Sequence, residues 1–287
     1  MNSPSFVDSA AFPSTPQARP HWAGGVLYYT FPLLEQFSHR LLHAFSTRVG
    51  GVSRGGLSSL NLGLSRGDRE ENVRENFRRF GQAVGFDWQR VVLTQQTHTV
   101  KLREAVAADA GCGPLRPRPW TDVDGLWTRE RGLPLMTQYA DCTPLLFYGA
   151  DKNICATSHA GWRGTAQGMA RVTAEKLMAC GCSPRHIYCV IGPAAGPCCY
   201  EVDGETAAHF RGLSDEQGPV ARPRAEYPGK YLLDLWRANR CMLLAAGLPP
   251  ENIAVSGLCT ICHHEIFYSH RVQGQDRGAL SAVVMLR

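Results

Sequence analysis

Apolar residues along the chain gather in short runs separated by turn-forming residues, and most of these runs read as strands. They fall at 25–31 (GVLYYTF), 41–47 (LLHAFST), 90–95, 133–140, 143–149 (TPLLFYG), 153–159 (NICATSH), 186–192, 252–257 and 279–286 (ALSAVVML). β-branched and aromatic side chains dominate them, and Gly, Pro or Asp bounds most of them, the punctuation typical of strands. Between the strands, steps of three and four residues place Ala166, Met169, Ala170, Thr173, Leu177 and Cys180 on one helical face. Leu232, Leu235, Trp236, Asn239, Leu243 and Ala246 repeat the pattern. This spacing predicts helices over 164–180 and 231–246, with Gly181 and Gly247 as C-terminal caps, a third helix over 70–84 and a short one over 203–211. Pro- and Arg-rich segments at 111–120 and 218–229 read as surface loops. The segment FYSHR (267–271) reads as a strand, either carrying Ser269 and Arg271 into a site or lying at a sheet edge.

Strands and helices mix without the regular alternation of a doubly wound sheet. Neither an internal repeat, a linker nor a G-x-G-x-x-G loop interrupts the pattern, so a single mixed α/β domain is expected.

Composition narrows the class. A chain of 287 residues with 44% hydrophobic and 19% charged residues can build a large core. The formal charge of +5 is mild and its cations are dispersed, with Arg66, Arg69, Arg74, Arg78 and Arg79 along one helical stretch. That suits small anionic substrates and argues against a nucleic-acid surface. Apolar runs are all too short for a membrane span of about 18 to 20 residues. Residues 1–23 are rich in Ser, Pro and Ala and lack a basic segment followed by an apolar one, so they read as a disordered leader rather than a secretory signal. With no export signal, the eleven cysteines are expected as reduced thiols in the cytoplasm.

Three segments end a strand with a soft or borderline metal ligand: QQTHTV with His98, YADCTP with Cys142 and TSHAGWRG with His159. A catalytic zinc takes three protein ligands and leaves a fourth position open, which this set would satisfy. The same residues allow Cys142 to act as a thiolate nucleophile with His159 as its base and Asp141 or Gln96 nearby. Both chemistries need a deprotonated thiol beside an imidazole, so residue types leave both open. The stretch STRVGGVSRGGLSSLNLG (46–63) combines glycine pairs, hydroxyls and Arg48 in a loop suited to an oxyanion, or in a plain glycine-rich hairpin. In CTICHH (259–264) a C-x-x-C-H pattern appears; haem attachment would call for export and a zinc pair for a second C-x-x-C, so neither is expected.

Together, HAFSTRVGGVS, NLG (61–63), DVDGLWT (122–128), ADCTPLLF, SHAGWRGT, IGPAAGPCCYEV (191–202), YLLDLWRANRCML and the CT…FYSHR…GAL ending resemble the YfiH/YlmD-like family. That family is also called the laccase domain or the multicopper polyphenol oxidoreductases, and the resemblance spans residues 24–287 as one catalytic domain. It implies a single-domain α/β/β/α layered sandwich. It also implies a purine nucleoside phosphorylase that cleaves adenosine, inosine and methylthioadenosine with phosphate and deaminates adenosine. Zinc would sit on His98, Cys142 and His159, with copper able to take the same ligands. Catalysis would fall to Cys142, His159 and Arg48, and binding of substrate or phosphate to Ser46, Arg48, Asn61, Arg163 and Arg271. The resemblance further implies a cytoplasmic monomer or weak homodimer with no nucleic-acid or membrane partner.

Small residues around His159 would let a flat base or sugar approach closely. Trp162 is expected to pack under this loop, and Arg163 either binds an anionic group or braces the loop. Relatives linked to peptidoglycan editing suggest an alternative, hydrolysis of an amide in a UDP-sugar–amino acid precursor. Laccase chemistry is disfavoured, because a multicopper site needs about ten histidines paired as H-x-H. This chain has ten histidines and no such pair. Thr99, the turn 273–277 with Arg277, and Cys112, Cys155, Cys180, Cys182 and Cys189 depart from the family pattern.

Overall fold

The computed structural model describes residues 12–287. Two six-stranded sheets form the centre of the molecule. The first runs, in spatial order, Arg19–Ala23, Val26–Thr30, Leu41–Ser46, Leu280–Leu286, Leu135–Tyr139 and Val92–Leu93. The second runs Ile253–Val255, Ile187–Ile191, Thr143–Gly149, Ile154–Ala160, Gly125–Thr128 and Leu102–Glu104. Phe45, Tyr139, Leu146, Tyr148, Leu280 and Val284 fill the space between them.

Helices cover both outer faces. Glu70–Val84 lays Val73, Phe77 and Phe80 onto Val26, Leu42 and Val283 of the first sheet. Met169–Ala179 and Leu235–Ala245 set Ala170, Ala174, Leu177 and Leu243 against Phe147, Ala156 and Ile191 of the second. The result is the α/β/β/α sandwich that the resemblance implied. Burial of each such Phe or Leu contributes roughly 1.5–3 kcal/mol. The layering also explains the sequence pattern. Thr143–Gly149, Ile154–Ala160 and Leu280–Leu286 are buried at every position, because a sheet covers one face and a helix the other. Strands of that kind read as unbroken apolar runs rather than alternations. Arg19–Ala23, at a sheet edge, is partly exposed.

Several expectations change. Residues 1–11 of the expected leader lie outside the described residues, but Arg19–Ala23, also assigned to it, forms a strand paired with Val26–Thr30. The helix expected over 164–180 is two, Trp162–Ala166 and Met169–Ala179, separated at Gly168 with φ of 86°. In 231–246 the first turn is instead the strand Lys230–Leu233, and Asp234 caps the helix by accepting from the Arg237 amide at 3.0 Å. FYSHR is no strand: Phe267 and Tyr268 are buried, and Ser269 caps the short helix His270–Gln273. Part of the loop expected over 218–229 pairs as the short strands Gly218–Pro219 and Ala221–Pro223. Gly181 and Gly247 do end their helices with φ of 94° and 90°. Among the described residues no helix is long and apolar enough to cross a membrane.

Candidate metal and substrate site

The chain passes from one sheet to the other through a three-residue corner. Tyr139 ends a strand of the first sheet and Thr143 begins one of the second, with Ala140, Asp141 and Cys142 between them. Asp141 takes φ of 81°, a left-handed conformation costly for a residue with a Cβ. Its buried carboxylate holds it there, accepting from Thr260 Oγ1 at 2.7 Å, Ser269 Oγ at 3.0 Å and the Arg271 amide at 2.7 Å. The Ala195 amide donates to the Asp141 carbonyl at 2.9 Å. Cys142 is thereby presented at the seam between the sheets.

Asp124 organises the other two residues. Fully buried, it accepts from the amides of Thr97, His98 and Thr99 at 2.9, 3.0 and 3.1 Å, which fixes His98 at φ of 66°. Its Oδ1 lies 2.8 Å from His159 Nδ1. With Nδ1 bonded to Asp124, Nε2 is the His159 nitrogen left to face Cys142, the arrangement that orients a metal-binding imidazole. Burial alone would raise the Asp124 pKa, but the bond and charge of His159 and the Thr97 and Thr99 amides bring it below the usual carboxylate range.

His98, Cys142 and His159 thus converge, their ligand atoms all within 4.8 Å of one another and Cys142 Sγ 3.9 Å from His98 Nε2. Tetrahedral zinc with bonds of 2.0–2.3 Å sets such atoms about 3.3–3.6 Å apart, so a small inward movement would complete the coordination. Donor types, spacing and the Asp124 brace fit a zinc or copper ion. Without a metal Cys142 and His159 shift each other's charge. Burial pushes the Cys142 thiol up, but His159 and His98 more than offset this and hold it below its ordinary range. His159 is shifted down by burial and then further up by the Cys142 charge and the Asp124 bond, ending above its ordinary value.

The bare backbone after His159 has a geometric reason. A Cβ on Gly161 would stand 2.9 Å from both Cys142 Sγ and His98 Cδ2. Gly161→Ala is therefore expected to keep the fold and weaken metal binding at this site about 10-fold or more, since it pries two ligands apart. Competition against a chelator of known affinity checks this; unchanged affinity would remove Gly161 from the account.

A cavity of about 390 Å³ opens onto the cluster. Arg66, Arg118 and Arg277 line it together with Gln95, Gln96, Gln138 and Tyr139. Arg118 donates to the Thr94 carbonyl at 2.6 Å. Arg277 is 8% exposed, and its Nε and Nη1 are buried with no hydrogen-bond partner among the described residues. Burial and then the charge of Arg66 bring its pKa down to about 10, so it stays cationic at neutral pH. A buried guanidinium with unpaired donors is costly unless an anion meets it.

Ser46, Arg48, Asn61, Arg163 and Arg271, expected to bind substrate or phosphate, stand outside this cavity. Arg48 donates through Nε to the Ser58 carbonyl at 2.8 Å and through Nη1 to the His264 carbonyl at 3.0 Å, and covers the Tyr268 ring at 4.8 Å. It braces the glycine-rich loop. Ser46 is fully buried and accepts from the Ser281 amide at 2.8 Å. Asn61, also buried, accepts from the Gly63 and Ala279 amides and donates to Asp68. Arg271 donates to the Glu201 carbonyl at 2.8 Å, and Arg163 stacks at 4.2 Å on Trp162, which packs with Val202 and Phe210. None of these five lines the cavity. Sequence reading gives no role to Arg118 or Asp124, whose only signals are a Pro/Arg-rich loop and the DVDGLWT motif, and marks Arg277 only as part of a turn that departs from the family pattern.

A two-sheet sandwich with a His/Cys/His cluster at the seam is a scaffold of the laccase-domain type with a candidate metal site. Residues 42–287 match the family described as multi-copper polyphenol oxidoreductase laccase, and the chain belongs to it. It is 39% identical over 240 residues to the purine nucleoside phosphorylase YlmD of Geobacillus stearothermophilus, covering 81% of this chain and 84% of that protein. Adenosine deaminase RL5, from an unknown prokaryotic organism, is 32% identical over 244 residues, 83% of this chain and 91% of its own. The crystal structure of the hypothetical protein YfiH from Bacillus licheniformis superposes with a TM-score of 0.84 at 32% identity, covering 92% of this chain and 97% of that one.

Proposed function

We propose that the protein is a zinc-dependent purine nucleoside phosphorylase that cleaves adenosine, inosine and methylthioadenosine and also deaminates adenosine. One observation carries the reading: the cavity that opens onto His98, Cys142 and His159 holds a buried, unpaired Arg277 beside Arg66 and Arg118. Guanidinium groups match the oxygens of a tetrahedral anion in pairs. Its size falls within the range for a small-molecule site.

In this reading the arginines hold phosphate beside the cluster, and a phosphate oxygen forms the new bond to C1′ as the bond from C1′ to the base breaks. Asp124 keeps His159 oriented, and Gly161 leaves room for His98 and Cys142 to close. A divalent ion on these ligands would polarise a substrate oxygen or lower the pKa of a water, the property that deamination needs. The eleven unpaired thiols suit a reducing compartment such as the cytoplasm.

Incubating metal-replete protein with adenosine or inosine, with and without phosphate, tests the reading. Free base and ribose 1-phosphate are expected only when phosphate is present, and inosine is expected from adenosine in either case. Absence of base release sinks the phosphorylase claim.

A second reading is favoured by the 2.8 Å contact of His159 with Asp124 beside a thiol of lowered pKa. Those residues would serve a Cys142 nucleophile hydrolysing an amide, as in a UDP-sugar–amino acid precursor. Phosphate-independent release of an amino acid would identify it. Polyphenol oxidation is not proposed: among the described residues only His98 and His159 join a group able to hold a metal, too few for a multicopper cluster.

A further inference from the structure

The chain carries a second gathering of sulfur ligands that the first site does not use. Cys198 and Cys199 sit in one turn and Cys259 and Cys262 in another, and the four sulfurs all lie within 4.8 Å of one another. Backbone contacts bring the turns together: the Ala194 amide donates to the Leu258 carbonyl at 3.2 Å, and the Thr260 amide to the Ala194 carbonyl at 3.0 Å. The second C-x-x-C that sequence reading found lacking is supplied by an adjacent pair of cysteines some sixty residues earlier.

The sulfur spacing suits a tetrahedral thiolate site. Cys262 Sγ is 3.5 Å from Cys198 Sγ and 3.4 Å from Cys199 Sγ. Zinc with four Zn–S bonds of 2.3 Å places sulfurs about 3.8 Å apart, inside the observed spread. Cys259 Sγ accepts from the Gly196 amide at 3.2 Å and the Cys262 amide at 3.5 Å. Amide donors aimed at a sulfur stabilise its anionic, metal-binding form. Gly196 permits the approach, since a Cβ there would stand 2.9 Å from the Trp236 ring and 3.1 Å from Cys259 Cβ. Cys198 and Cys262 are exposed, which leaves an entry path and argues against four thiols kept only as small core hydrophobes.

We propose that Cys198, Cys199, Cys259 and Cys262 bind a zinc ion in a four-thiolate site distinct from His98, Cys142 and His159. Its role is positional. The two turns it joins are those whose Ala195 amide and Thr260 hydroxyl hold Asp141, the residue that sets the corner presenting Cys142. Zinc in this site staples that corner without touching substrate.

Zinc content of the purified full chain, measured by native mass spectrometry and by competition with a chelator, tests the proposal. The expected content is about two ions per chain, falling to about one in His98→Ala/Cys142→Ala and to about one in Cys259→Ser/Cys262→Ser. Cobalt bound to the His98→Ala/Cys142→Ala protein should show the intense thiolate-to-metal absorption and tetrahedral spectrum of an all-sulfur site. If Cys259→Ser/Cys262→Ser does not fold, the exposed Cys198→Ser replaces it, with an expected loss of zinc affinity at this site of about 10-fold or more. A folded His98→Ala/Cys142→Ala protein that binds neither zinc nor cobalt overturns the proposal. So does peptide mapping that finds Cys262 in a disulfide with Cys198 or Cys199 in protein purified under reducing conditions.

Discussion

Cys142→Ala is expected to lower nucleoside turnover at least about 100-fold and to remove the metal held with His98 and His159, while the fold persists. The side chain sits at the seam between the sheets, and its loss leaves two imidazoles that alone bind a divalent ion weakly. Loss of activity by itself does not discriminate, because a thiol nucleophile would show the same defect. Metal content and inhibitor response do. With zinc as cofactor, a strong chelator stops turnover and added zinc restores it. A thiol enzyme ignores the chelator and is inactivated by alkylation with an adduct on Cys142. The pH dependence follows from the raised pKa of His159: the metal-free protein holds a proton there at neutral pH, and binding must release it. Metal affinity at this site should therefore rise with pH through the neutral range and level off above the His159 pKa. A metal-free protein with full activity would end the zinc reading.

Arg277→Met should raise the KM for phosphate about 10- to 100-fold with metal content unchanged, the effect of losing one or two charge-assisted hydrogen bonds of about 1.5–3 kcal/mol. The same change removes a buried cation that has no partner among the described residues, so thermal stability without phosphate should hold or rise. Phosphate should raise the melting temperature of the parent protein, and do so far less in the variant. These opposite signs separate a ligand-binding arginine from a structural one, whose loss would lower stability and leave the phosphate KM alone. An unchanged phosphate KM would place the anion elsewhere in the cavity.

Much of the fold is legible along the chain because its elements are amphipathic or wholly apolar in the period of their secondary structure. Glu70–Val84 declares itself by Val73, Phe77 and Phe80, and Leu280–Leu286 by an apolar run with Ser281 as its one polar residue. The failures are local. Gly168 breaks an apolar period that runs on across it, and Asp234 starts a helix one turn later than the apolar spacing suggests. In FYSHR, two buried aromatics look like strand residues, yet Ser269 caps a helical turn.

The site divides along similar lines. His98, Cys142 and His159 can be singled out because each is a ligand-type residue close to the end of an expected strand. Arg48 and Asn61 stand in an equally suggestive loop, but Arg48 donates to the Ser58 and His264 carbonyls and Asn61 bonds the Gly63 amide and Asp68, and a sequence does not record which groups meet which partners. Arg277 shows the reverse, a residue to which the sequence gives no role but whose burial beside a cavity makes it chemically conspicuous.

By itself, then, the sequence determined most of the elements, the mixed α/β class and the three candidate ligands, since these depend on periodicity and residue chemistry, while the layering came with the family resemblance. Only the tertiary structure decided what meets what. It set Asp124 behind His159, emptied the space at Gly161 for two ligands, turned Arg277 into a cavity, and closed Cys198 and Cys199 onto a C-x-x-C turn sixty residues away. Such contacts arise from the packing of whole sheets and helices against one another, and that packing places side chains together with no mark in local sequence.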